Sequence, residues 1–212
     1  PYRRQRQMCI RDRIRAASQI MANLPYVKGV RIGIKLPDTV NIMIEEESVV
    51  YAIKSSDGQW WMMDSDGRVV EQANNAKAAT ATQVLGVTLE APTVNEKGVA
   101  TEMTPSETNE LGELIPVSTT GAQRLTAALQ ILKALENNDI VGEAASVDVT
   151  STEDIILWYG TRYQVNLGDT SRLDYKVDCM NDAILQMSDY QSGVLDISFT
   201  IWPNQVGYTP FA

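Results

Sequence analysis

The residues in this chain whose types could do chemistry are carboxylates, grouped at Glu45-Glu46-Glu47 and Glu153-Asp154. A glycosidase-like reaction would need two of them across a cleft, one protonated as general acid and one ionised. Both groups fall where strands end or turn, positions at which solvated charge blocks edge-to-edge pairing with other chains. They read as surface. Histidine is absent, which removes the usual general base near neutral pH, the Ser-His and Cys-His nucleophile pairs and the commonest metal ligand. Cys9 and Cys179 are the two cysteines; with Cys9 in a head expected to be artefact only one remains, so no disulfide framework is proposed, and Cys179 is expected to be a small buried apolar residue. No Gly-rich phosphate loop, Cys-x-x-Cys pair or Gly-x-Ser-x-Gly elbow occurs. The reading is a protein that is not an enzyme, with no catalytic residue, metal site or cofactor.

What remains is binding, and the C-terminus carries the pattern for it. Val194-Leu195-Asp196-Ile197-Ser198-Phe199-Thr200-Ile201-Trp202 reads as a final hydrophobic strand, followed after Pro203-Asn204 by a short extended tail, Val206 to Phe211. The last strand of a mixed sheet is often an edge whose free amides can take up a partner strand. About five added main-chain hydrogen bonds at roughly 0.5–1.5 kcal/mol each, with one or two aromatic anchors at about 2 kcal/mol, would support micromolar to sub-micromolar affinity.

The elements that must position this strand can be read from periodicity. Ile14, Ala17, Ile20 or Met21, and Leu24 share one helical face, and Pro25 ends that helix. Val30, Ile32 and Ile34, then Val40, Ile42 and Ile44, alternate on either side of the Leu36-Pro37-Asp38-Thr39 turn. Two half-buried strands should therefore pack on the helix. Val49–Lys54, Gln59–Asp64 and Arg68–Val70 read as a meander through Asp57-Gly58 and Asp66-Gly67 turns. Trp60 and Trp61, adjacent in a strand, must face opposite sides. Residues 73–120 are irregular, with one possible strand at Val84–Leu89. Thr119 or Thr120 caps a core-facing helix carrying Leu125, Ala128, Leu129, Leu132 and Leu135. Ser146–Thr150, Ile155–Tyr159 and Arg162–Gly168 form an antiparallel set. Ser171-x-x-Asp174 looks like a capping box ahead of a helix with Leu173, Val177, Met180, Ile184 and Met187 on one stripe, the methionines being core filler.

Net charge is −9, yet residues 1–15 hold six arginines against Asp12, a local +5 that leaves −14 for the rest. An acidic body repels phosphate backbones and anionic headgroups, so nucleic acid is not an expected partner. Residues 1–12 lack periodicity and are expected to be artefact or disordered. Met8-Cys9-Ile10-Arg11-Asp12 looks like the translated end of a sequencing adapter, with a short basic arm as the alternative.

The wording LPYV-x-x-VRI-x-x-x-LPDTV-x-I-x-I-x-E over residues 24–46, the Asp64-x-x-Gly67-x-Val69 step, and LDISF (195–199) followed by VGYTP (206–210) resemble the bacterial cell-division family FtsQ/DivIB. The resemblance implies an α+β chain: a partial POTRA domain at 13–48, a helix on a short sheet, then a β-rich mixed-sheet domain with flanking helices at 49–212, of which 73–120 is loop. It implies a divisome scaffold at the septum that binds the FtsB/DivIC–FtsL pair by strand addition, with contacts at Phe199, Val206, Gly207 and Tyr208. It also implies a single-pass membrane protein whose anchor precedes this extracytoplasmic part. This chain has Phe199 and Tyr208 where other members have Tyr and Trp, and it inserts Trp202-Pro203 between the two motifs. The alternatives are a POTRA-type chaperone or scaffold of outer-membrane assembly or secretion and, behind it, an extracellular hydrolase.

Overall fold

The computed structural model describes residues 2–35, 39–46, 50–102, 119–188, 190–200 and 205–211. The turn residues 36–38, Glu47 of the acidic triplet and the Trp202-Pro203 insertion lie outside the described residues. The fold is α+β, with a helix and hairpin first and a large mixed sheet after them.

Helix α1 runs Tyr2–Asn23 and is followed by β1 (Val27–Lys35) and β2 (Thr39–Glu46), antiparallel with Ile32 opposite Ile42. The helix starts inside the head that sequence periodicity sets apart; arginine and glutamine are good helix formers even without an apolar face. The expected half-burial holds in β1 at Val30 and Ile32 but not at Ile34, and not in β2. All eight β2 residues are exposed, and Ile14 on the helix and Leu24 just after it are exposed too. Among the described side chains of α1 the half-buried ones are Arg13, Ala16 and the expected Ala17, Ile20 and Met21. Two small alanines allow close approach but cover little of a row that contains Val30, Ile32, Ile34, Val40, Ile42 and Ile44. Val27 is buried, and its carbonyl accepts from Arg68 at 3.5 Å, which joins the hairpin to the larger body.

The larger body is one nine-stranded sheet in the order β11-β10-β9-β8-β7-β6-β3-β4-β5. β3 (Tyr51–Ser55), β4 (Trp60–Met63) and β5 (Val69–Ala73) are the expected meander. Short α2 (Asn75–Ala78) leads to β6 (Gln83–Leu89), which runs parallel to β3 on one side and β7 on the other. The stretch read as mostly loop thus supplies a central strand. Its Gly86 has φ +82° and an added Cβ would lie 2.2 Å from the Thr150 amide nitrogen, a bulge that hides the strand's alternation. β7 (Ala144–Asp148), β8 (Ile155–Tyr159) and β9 (Tyr163–Gly168) are antiparallel neighbours.

Helices α3 (Gly121–Asn137) and α4 (Leu173–Gln186) cover one face. Thr120 and Gln123 close a complete capping box on α3, and Leu125, Ala128, Ile131, Leu132 and Leu135 enter the core. α4 has no such box. Ser171 turns its hydroxyl to Asp169 at 2.6 Å, and Arg172, in the left-handed region at φ 54°, is the residue before the helix. Val177, Met180 and Ile184 are buried, whereas Cys179 is only half-buried. Trp61 packs on the main core and Trp60 on a second, smaller cluster beneath α2, so the adjacent indoles do part to opposite faces.

Candidate partner-binding edge

The expected final strand, 194–202, stops early, and its residues 201–202 lie outside the described residues. β10 covers only Gly193–Asp196 and lies inside the sheet, parallel to β9 and antiparallel to β11 (Gly207–Pro210). The break has a local cause. The Asp196 carboxylate accepts from the Ser198 amide at 3.0 Å and its hydroxyl at 2.7 Å, a side-chain turn that competes with the ladder. Phe199 then takes φ 57°, where a strand cannot continue. The residues read as an extended tail form the margin of the sheet.

Which β11 groups face outward follows from the bonds of β10. Gly193 and Ile197 donate to Arg162 and Asn166 on the β9 side at 3.0 and 2.8 Å, and the Ser192 carbonyl accepts from Phe211 on the β11 side at 3.2 Å. Successive residues of a strand direct their main-chain groups to opposite sides. Gly207, Thr209 and Phe211 therefore face β10, and Val206, Tyr208 and Pro210 face out. Pro210 has no N–H, so the margin offers the N–H and C=O of Val206 and Tyr208 and the C=O of Pro210.

The opposite margin is covered at its start. Along β5, Val69 donates to Glu96 and Asn95 donates to Val69, both at 2.8 Å, and Gly98 donates to Gly67 at 2.8 Å. Among the described residues β11 pairs on one side only. It also lacks the charge that commonly protects an edge, since residues 205–211 are Gln-Val-Gly-Tyr-Thr-Pro-Phe.

Of the four expected contact residues, Gly207 and Tyr208 are on β11 and Val206 precedes it. Phe199 is apart from them, on the turn after β10. Its ring is 5.7 Å from that of Tyr175, and the Arg172 guanidinium sits 4.4 Å from the Tyr175 ring and 5.8 Å from the Phe199 ring. Val206, Tyr208 and Phe199 are half-buried against the helix-covered core. The Tyr175 phenol is raised above its ordinary value, first by the Cys179 thiol beside it, with Arg172 pulling the other way. Sequence reasoning missed Ser192, Gly193, Trp158 and Phe211, which seat the strand; the alternation of Val206 and Tyr208 with Gly207 and Thr209 was the signal that β11 exists.

No family model matches the chain. It is 25% identical over 185 residues to cell division protein DivIB of Clostridium tetani, an alignment covering 86% of this chain and 62% of that protein. It is 34% identical over 65 residues to cell division protein DivIB of Clostridium acetobutylicum, covering 31% of this chain and 26% of that one. These similarities support an assignment to the FtsQ/DivIB family. The chain spans less than two thirds of the length of either relative. Among its described residues no group of acidic, cysteine or histidine side chains could hold a metal, and no helix is long and apolar enough to cross a membrane.

Proposed function

We propose that this FtsQ/DivIB-family chain is the extracytoplasmic part of a cell-division scaffold, anchored by one membrane span, that holds an FtsB/DivIC-like protein and its FtsL-like companion at the septum. It does so by accepting a strand at β11 and catalyses nothing. One observation carries the reading: among the described residues, residues 95–98 cover the start of β5 at one margin of the sheet, while β11 at the other presents five main-chain groups that face away from β10 and no charge.

Magnitude sets what else the partner must bring. Five main-chain bonds at about 1 kcal/mol each fall short of the roughly 8 kcal/mol of micromolar affinity, before the cost of ordering the partner is subtracted. Apolar side chains of the added strand must supply the rest, and Phe199 and Val206, half-buried on the helix face, are the surfaces beside which they would land. The test is calorimetric binding of the extracytoplasmic segment of a DivIC-like protein to the wild-type chain and to one with an N-methyl amide at Tyr208, introduced by semisynthesis. Tenfold or greater weakening on losing that one donor is expected; equal affinity would rule out strand addition at β11.

A further inference from the structure

β11 is a four-residue strand whose pairing with β10 ends on a proline, a ladder too short to hold its own register firmly. What seats it is concentrated on two residues of the neighbouring strand. Tyr208 lies on the helix-covered face, opposite core residue Leu195. Its ring lies across Gly193: an added Cβ there would sit 2.8 Å from the Tyr208 ring and 2.3 Å from the Thr209 carbonyl oxygen. The Tyr208 hydroxyl continues past the glycine and donates to the Ser192 carbonyl at 3.1 Å. Phe211 grips the same place from the other face. Its amide donates to the same Ser192 carbonyl at 3.2 Å, and its ring stacks on Trp158 with centroids 6.2 Å apart and planes 25° from parallel. Trp158 is adjacent to core residue Leu157 and so points away from the helices.

We propose that Tyr208, Phe211 and Gly193 form a clamp that fixes the edge strand in register, so that Tyr208 meets a partner through its main chain and is a positioning residue rather than a side-chain contact. The proposal rests on strand addition at β11 and refines it. A side chain bonded inward to Ser192 has its hydroxyl already spent, while its amide and carbonyl point outward. Phe211 has no outward main-chain donor at all, yet its loss should weaken partner capture as much as loss of the Tyr208 hydroxyl does.

Amide hydrogen exchange of the full chain, without partner, tests the clamp by itself. Tyr208→Phe keeps the ring and removes one bond, and Phe211→Ala keeps the amide bond and removes the stack. Each should speed exchange at Gly207 and Thr209 by roughly two- to tenfold, with exchange in β8 and β9 and the global unfolding midpoint unchanged. The same variants should bind the DivIC-like segment more weakly by a matching factor. Unchanged exchange at Gly207 and Thr209 in both variants would overturn the clamp and leave strand addition standing. Weakened binding by Tyr208→Phe with unchanged exchange would likewise overturn it, by making the hydroxyl a direct contact. Failure of the wild-type chain to bind the segment would instead remove the strand-addition reading, with the clamp still decided by the exchange rates.

Discussion

Lys176 lies inside the molecule, 1% exposed, and its ammonium donates to the carbonyls of Leu167 and Asp169 at 2.8 and 2.9 Å and to the Asp169 carboxylate at 2.8 Å. Three acceptors at one point hold the end of β9 to the start of α4. Lysine on a helix reads from sequence as a solvated residue, so this contact was illegible, as was the half-exposure of Cys179 on the same helix. The opposed faces of Trp60 and Trp61 were legible because they follow from strand geometry alone. Lys176→Met should lower stability by about 1–3 kcal/mol in urea unfolding, since it strands the buried Leu167 carbonyl and removes the partner of Asp169. The Asp169 carboxyl is held at about 2, below its ordinary 3.8, first by Lys176 and then by Ser171. A depressed carboxyl contributes stability above its unfolded value that is lost as pH falls through the folded one. Asp169→Asn should therefore flatten the fall of the unfolding midpoint between about pH 4 and pH 2 and leave the alkaline side unaltered.

At the scale of elements, the amphipathic helix α3 and its Thr120 cap were readable because period and cap agree. The meander and the β7–β9 set were readable for the same reason. The C-terminal ribbon was misread because Val194 to Trp202 keeps strand-like composition through the Asp196–Ser198 turn, and hydrogen bonds that Ser198 donates to one aspartate decide the break. The apparent capping box at Ser171 failed because Asp169, two residues earlier, takes the hydroxyl. Gly193 shows the same dependence on a neighbour. Its lack of a side chain matters only once Tyr208 is laid across it. Gly193→Ala should unseat β11 locally, so that carboxypeptidase trims the C-terminus faster than in wild type while the unfolding midpoint of the rest falls little. Trimming at the wild-type rate would show that the strand does not need the notch.

For the whole molecule, among the described residues the main hydrophobic core draws its buried residues from Tyr51 to Ile197, and none from α1, β1 or β2. The hairpin adds Val27 and a half-buried Tyr26 to the body, while much of its aliphatic row remains exposed. A chain beginning at residue 50 should thus unfold cooperatively within a few degrees of the intact one by calorimetry; loss of cooperativity would mean that the helix and hairpin are part of the larger body's foundation. Fold class and family were legible because local patterns repeat along the chain. Which margin of the sheet stays open was not, since it depends on residues 95–98 reaching β5 from a distance. That margin carries the account. Residue-resolved amide exchange of the intact chain with and without a DivIC-like segment tests it most directly. Strand addition at β11 predicts slowed exchange at Val206 and Tyr208, whose amides face out, and unchanged exchange at Gly207, Thr209 and Phe211, already bonded to β10; saturating binding with the Tyr208 amide exchanging at its free rate would contradict it.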